Sequence, residues 1–363
     1  MQNALGADCV PPREAVRPSE LRADEILLYP ILLPDRIELI YAQGGPGGTQ
    51  YRRLPANRTA DRATVAALVA EVVNATSGDA SAAWRAPARR LYQLVIRPIE
   101  DRLRPDGTLV IIPDGPLRAL PFSALLDGQD AFLVTRTGIT VAPALTYSQP
   151  GRDRGGRALS VVAASLQKTV VLPAGYFAKL EGTAEEAQVA AAVGGGGARN
   201  SRHIADFQTA DLQAALSRGH VDVLHVATHA AFNGRSDRSF IVADGEAIPM
   251  ADLRRLITAN RGRGDELDLL VLSACETAVG DDQASMGLAG AAVQSGARSA
   301  IASLWQVDDR GTVELMKQFY GGYRGGLGKA EALRAAQLNL IARGGRLAEP
   351  GIWAAFALLG AWR

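Results

Sequence analysis

Four short, almost wholly apolar runs in the second half of the chain narrow the possible folds more than any other feature. They cover Ala158 to Ala164, Asp222 to Ala230, Asp268 to Cys275 and Arg298 to Val307. A strand that is apolar on both faces has to be covered on both, and this is the habit of parallel sheets flanked by helices. Segments with helical spacing lie between or after the runs, at Ala184 to Val193, Ala210 to Arg218, Met250 to Asn260, Gly287 to Gln294 and Gly311 to Tyr323. The alternation predicts an α/β fold with a mostly parallel sheet and helices on both faces.

The first half adds to this sheet rather than standing apart from it. Apolar runs at Ile26–Tyr29 and Ile37–Tyr41, with a Gly-Gly-Pro-Gly-Gly turn at 44–48, read as antiparallel strands. Ala60 to Ala75 and Ser81 to Leu103 read as helices, the second with Leu91, Leu94, Val95 and Ile99 on one face. Thr108 to Ile112 reads as a short apolar strand closed by Pro113-Asp114-Gly115-Pro116. The expected organisation is a linker or tail over 1–20, an integral N-terminal α/β subdomain over 21–156 and a main subdomain over 157–363.

Charge and cysteine content exclude several classes. Lys and Arg number 39 against 38 Asp and Glu, so no charge field points to nucleic acid or an anionic membrane surface. The apolar runs are far too short to span a bilayer. The start, Met1-Gln2-Asn3-Ala4, lacks the basic-then-apolar pattern of a signal peptide, and a cytoplasmic protein is expected. Two cysteines, Cys9 and Cys275, cannot build a disulfide framework or a cysteine-rich zinc site.

Familiar motifs fail on spacing. Gly322 to Lys329 lacks the first glycine of a phosphate loop, since Tyr323 stands there, and Ala330 replaces the magnesium-binding Ser or Thr. No serine has glycines two residues to either side, so the nucleophile elbow is absent. His225 and His229 are four apart but have no third zinc ligand in view. No cofactor or metal is expected.

Two strands instead end in reactive residues, and the carboxyl ends of parallel strands are where such sheets collect function. Asp222 to Ala227 runs into Thr228-His229-Ala230, and Asp268 to Leu272 runs into Ser273-Ala274-Cys275. If these strands are neighbours, His229 and Cys275 meet at one edge. A thiolate can then attack a carbonyl, an imidazole can move the proton, and backbone N–H groups can hold the oxyanion. The same residues also suit a buried cysteine and a capping histidine at two strand ends. His225 is expected to be buried, neutral and bonded to backbone.

Several segments carry a family resemblance: His225-Val226-Ala227-Thr228-His229-Ala230, Leu272-Ser273-Ala274-Cys275-Glu276-Thr277, and Ser303-Leu304-Trp305-Gln306-Val307-Asp308-Asp309. Ile112-Pro113-Asp114-Gly115, Leu120-Pro121-Phe122-Ser123-Ala124-Leu125, Ile352-Trp353-Ala354-Ala355-Phe356 and Leu359-Gly360 fit the same pattern. In this order the chain resembles, from about Leu21 to Arg363, the CHAT family of caspase-like cysteine peptidases, which is related to separases and caspases. The resemblance implies a caspase-like fold and a His229–Cys275 dyad. It also implies an oxyanion hole from the backbone N–H groups of Ala230 and Cys275. The family usually has glycine where Ala230 stands; alanine keeps the N–H, provided that the position does not need a positive φ.

In separases a similar Trp-x-Val-x-Asp segment supplies a carboxylate for a basic substrate side chain. That resemblance makes Trp305, Asp308 and Asp309 the substrate-pocket candidates, with Asp309 matching by spacing. An aspartate just before the helix at Gly311 is equally a favoured N-cap. The implied partners are a protein substrate and a regulatory or repeat-protein partner on a separate chain. The alternative is a catalytically silent caspase-like scaffold.

Overall fold

The computed structural model describes residues 21–45, 47–78, 82–142, 159–194, 201–232, 239–259, 266–273, 276–277 and 296–363. In chain order the first half contains β1 (Glu25–Leu33), β2 (Arg36–Gln43), β3 (Gln50–Arg53), α1 (Arg62–Ser77), α2 (Arg85–Leu91), β4 (Thr108–Ile111) and β5 (Gly138–Val141). The second half opens with β6 (Val161–Ser165), β7 (Val170–Leu172), β8 (Gly175–Phe177), α3 (Thr183–Ala192), β9 (Arg202–Ala205) and α4 (Thr209–Ser217). Next come β10 (Val223–Ala227), β11 (Ala230–Phe232), β12 (Phe240–Ala243), β13 (Glu246–Pro249), α5 (Met250–Ala259), β14 (Leu269–Ser273) and β15 (Glu276–Thr277). The chain closes with β16 (Ser299–Ser303), α6 (Asp309–Arg324), α7 (Lys329–Arg343) and β17 (Phe356–Gly360).

One sheet runs through both halves in the order β3-β2-β1-β4-β5-β17-β16-β14-β10-β6-β9. Its pairings are parallel from β1 through β4 and β5 to β17, and again from β16 through β14, β10 and β6 to β9. The two parallel blocks meet at the antiparallel pair β16–β17. Gly360 makes that junction possible. Its φ is +86°, and a Cβ there would lie 2.6 Å from the Arg298 carbonyl oxygen, so a side chain would be both strained and blocked.

The expected two-sided burial is present in detail. All five residues of β10 and all five of β14 are buried, and their side chains alternate between two cores. Val223, Leu269 and Val271 join a core that also contains Leu315 and Phe319 of α6 and Leu333 and Ala336 of α7. Leu224, Val226, Leu270 and Leu272 join the opposite core with Leu212 of α4 and Leu253 of α5. The first of these cores also takes in Leu27 and Val110 from β1 and β4. A single apolar layer therefore underlies both halves of the sheet. The other face of the first half packs Ile26, Leu28 and Leu109 against Val65 and Val69 of α1.

Local differences from the sequence reading have plain causes. The first two strands are joined at Pro34-Asp35, and the glycine-rich turn instead links β2 to the exposed β3. The helix expected over 81–103 is broken into α2, a wide π turn at Tyr92–Ile96 and a 3₁₀ segment at Arg97–Arg102, because Pro98 removes a backbone donor. Leu91, Leu94, Val95 and Ile99 are nevertheless all buried. The expected helix at Gly287 to Gln294 and the tail over 1–20 lie outside the described residues.

Two buried polar groups tie distant segments together. Glu25 accepts from Trp362 Nε1 at 2.7 Å and from Arg363 Nε at 2.8 Å, tying the start of β1 to the residues just after β17. Lys329 Nζ, fully buried, bonds Asp268 Oδ1 at 2.8 Å, and the Tyr323 hydroxyl bonds Oδ2 at 2.8 Å. Removing one member of such a desolvated pair typically costs about 3 to 5 kcal/mol.

We propose from the shared apolar layer that residues 21–156 form an integral subdomain rather than an independent module. Cutting the chain between Gly155 and Gly156, a site outside the described residues, is then expected to yield insoluble or molten fragments. The check is solubility and cooperativity of melting by circular dichroism; two soluble pieces that each melt cooperatively would refute it.

Candidate active site

β10 and β14 are neighbours in parallel register, with Ala227 opposite Ser273. Beyond that pair the two chains leave the main sheet and re-pair in a small four-stranded one, where Ala231 is opposite Glu276. Between the two pairings the histidine-bearing chain advances four positions, Ala227 to Ala231, while its partner advances three, Ser273 to Glu276. The histidine-bearing chain therefore carries one extra residue, a bulge-like offset of the kind that re-aims a side chain. Thr228 anchors it from a fully buried position: its Oγ1 donates to the Val242 carbonyl at 2.6 Å. Cys275 itself lies outside the described residues, between Ser273 and Glu276.

His229 is half-buried at this edge. Its Nε2 lies 2.7 Å from the Ala178 carbonyl oxygen, which can only accept, so Nε2 carries the proton and Nδ1 is the nitrogen left with a lone pair. Phe177, the last residue of β8, packs beside the ring with centroids 5.5 Å apart. The carbonyl thus fixes tautomer and orientation together. Nothing in the sequence around Ala178 marks it for this task, because its contribution is a backbone atom.

Ala230 lies in extended backbone in β11, and the positive-φ non-glycine residues among those described are Asp130 and Asp206. Alanine therefore meets no conformational penalty here. The Val242 N–H donates to the His229 carbonyl at 2.8 Å, so the polar groups of His229 face β12. By strand alternation those of Ala230 face the other way, toward β15.

A pocket opens beside His229. The strand ends Thr228, Ser273 and Ser303 line it together with Gly182, Thr183 and Glu186 from the start of α3, and with Asp309 and Thr312 from the start of α6. Asp309 Oδ2 accepts from the Glu181 N–H at 2.7 Å and the Gly182 N–H at 3.2 Å, clamping the rim segment to α6. The approach is close enough to require glycine, since a Cβ on Gly182 would lie 2.9 Å from Asp309 Cβ and 3.1 Å from its carbonyl oxygen.

The other two pocket candidates are engaged elsewhere. Asp308 caps α6, accepting from the Gly311 N–H at 3.1 Å, and pairs with Arg346 at 3.1 Å. Trp305 is buried in the core and donates its indole N–H to the Gly351 carbonyl at 2.8 Å.

His225 is fully buried, but its partners are side chains, not the backbone groups expected. Its Nδ1 is 2.9 Å from the Tyr320 hydroxyl. Its Nε2 is 3.2 Å from Glu186 Oε1. The alignment is not that of a hydrogen bond, and neither atom has a hydrogen-bond partner among the described residues. Burial, with Glu186 nearby, pushes the Tyr320 phenol well above its ordinary range, so it stays a donor. Glu186 went unnoticed in the sequence because a glutamate in the first turns of a helix is ordinary there. Among the described residues, no cluster of three His, Cys, Asp or Glu side chains is placed to hold a metal ion, and no helix is long and apolar enough to cross a membrane.

Sheet, helices and edge together define an α/β protein of the caspase-like class. The family profile of the CHAT domain matches residues 85–361, and the chain belongs to that family. Among solved structures it is similar to separase in the Saccharomyces cerevisiae separase–securin complex, with a TM-score of 0.59 at 10% identity, covering 95% of this chain and 30% of that one. A second separase–securin structure gives 0.57 at 9% identity with the same coverage. The chain thus spans under a third of the separase it matches. The Arg-specific cysteine proteinase gingipain R is a more distant match, with a TM-score of 0.45 at 12% identity over 80% of this chain and 73% of that one. No curated relative matches the sequence.

The two histidines are expected to separate in a urea titration. His225→Ala strips partners from Tyr320 and Glu186 and leaves a gap, and it should lower stability by about 2 to 4 kcal/mol. His229→Ala, at a solvent-reached edge, should cost about 1 kcal/mol or less. Equal losses would contradict this division of roles.

Proposed function

We propose that this chain is a cysteine endopeptidase that cleaves a protein substrate through Cys275 and His229, after a basic residue. The observation that carries the reading is the state of His229. It stands two residues beyond the end of β10, beside the strand that leads into Cys275, with Nε2 tied to the Ala178 carbonyl. Its Nδ1 is thereby left to exchange protons with a thiol.

In this reading Nδ1 takes the Cys275 proton, and the thiolate sulfur bonds the scissile carbonyl carbon. The oxygen gains negative charge and is held by the N–H groups of Ala230 and Cys275. Return of the proton from His229 to the departing amine breaks the C–N bond and leaves a thioester. Water, deprotonated by the same imidazole, then releases the acid and regenerates the thiol. The acidic side chains at the pocket, Glu186 and Asp309, favour a cationic side chain beside the scissile bond. A protein partner on another chain fits this picture, as the structurally similar separase was solved bound to securin.

Limiting iodoacetamide is expected to alkylate Cys275 before Cys9, since a thiol beside an imidazole is more often ionised. A mass-spectrometric cleavage map of a proteome should show products with the intact protein and none with Cys275→Ala, at unchanged melting temperature. A map without products from the intact protein, or equal labelling of both cysteines, would favour the silent-scaffold reading.

A further inference from the structure

Among the described residues, Glu186 is the acidic side chain at the pocket with a buried oxygen left unsatisfied. The residue is only 3% exposed, lines the pocket with His229, and its Oε1 has no hydrogen-bond partner among the described residues. A buried carboxylate oxygen without a donor is costly to keep, and the cost is recovered only when something brings a donor. His225 behind it does not complete the bond, although it stands 3.2 Å away. Asp309 already holds two backbone N–H groups through one oxygen, and Asp308 is committed to the helix cap and Arg346.

The support under Glu186 is rigid. It belongs to α3, whose first residue, Thr183, donates its hydroxyl to the Leu166 carbonyl at 2.9 Å just beyond β6. The Glu186 N–H continues the helix by bonding the Gly182 carbonyl at 3.0 Å. Ala187 and Ala190 of the same helix lie in the main core. The carboxylate is therefore presented from a fixed element, the arrangement that makes recognition geometrically selective.

We infer that Glu186, rather than Asp308 or Asp309, receives the basic side chain of the substrate, with a guanidinium preferred over an ammonium. Asp309 acts as the rim clamp that keeps the pocket open. A guanidinium presents a planar fork of donors that suits a fixed carboxylate, whereas an ammonium is a point charge that holds its water more strongly. The inference rests on the peptidase reading for its substrate, but its binding half can be measured without turnover.

The experiment compares wild type, Glu186→Gln and Asp309→Asn on matched peptides with arginine, lysine or citrulline before the scissile bond. Citrulline keeps the shape of arginine and removes its charge. Wild type should prefer arginine to lysine, and both to citrulline. Glu186→Gln should cut the arginine-over-citrulline ratio in kcat/KM by at least about thirty-fold, the loss usual when one partner of a desolvated charge pair is removed. Asp309→Asn should lower the melting temperature and kcat/KM for all three peptides while keeping their order. An unchanged ratio in Glu186→Gln, or a collapse of the ratio in Asp309→Asn alone, overturns the assignment.

If Glu186→Gln does not fold, Glu186→Asp decides. A withdrawn carboxylate should raise KM for the arginine peptide several-fold more than for citrulline, and equal shifts overturn the assignment. If wild type cleaves none of the peptides, the peptidase reading fails separately, and agmatine, a guanidinium ligand, tests the site. Agmatine should raise the melting temperature of wild type but not of Glu186→Gln; equal or absent shifts overturn the assignment.

Discussion

Everything at the candidate site depends on the parallel pairing of β10 with β14. Five buried residues on each strand fix the register through alternate packing into two cores. A slip of one residue would turn every apolar side chain to the wrong layer. Because the register is set by burial along the whole length of the strands, their ends are level to within one residue, with Ala227 opposite Ser273. The residues that follow carry the chemistry, and their height above the sheet is inherited from a packing constraint that is not itself chemical.

Above that level the edge is built largely from backbone. The Ala178 carbonyl orients His229. The Val242 carbonyl and N–H hold Thr228 and His229. The N–H groups of Glu181 and Gly182 are gathered by Asp309. Backbone groups tolerate substitution of the residues that bear them, which is consistent with a fold shared with separase at only 10% identity. Such an edge is pre-organised, since each donor and acceptor is held by a strand or a helix start.

Glu186 and His225 are exceptions to the general rule that buried polar atoms find partners. Other buried charges are closely paired, as in Glu25 with Trp362 and Arg363, or Lys329 with Asp268 and Tyr323. Those networks lie away from the pocket and hold elements together. The unsatisfied pair lies under the pocket.

The sequence by itself determined the layered α/β architecture, because apolar runs of strand length alternating with amphipathic helices admit few other arrangements. It also determined that His229 follows one such strand and Cys275 another, since their distance along the chain from each run is a matter of counting. The helix of α7 and the antiparallel β17 were not read there: one has weak amphipathic contrast, and the other pairs with β16 through a glycine, Gly360, whose conformation no local pattern announces. Tertiary structure alone decided that β10 and β14 are neighbours, that the histidine strand carries an extra residue, and that a carbonyl from Ala178 reaches across to the imidazole. It also divided the three acidic residues near the pocket among a cap, a clamp and an unsatisfied carboxylate. Spacing along the chain cannot make that division, because it depends on which donors from distant segments arrive at each oxygen.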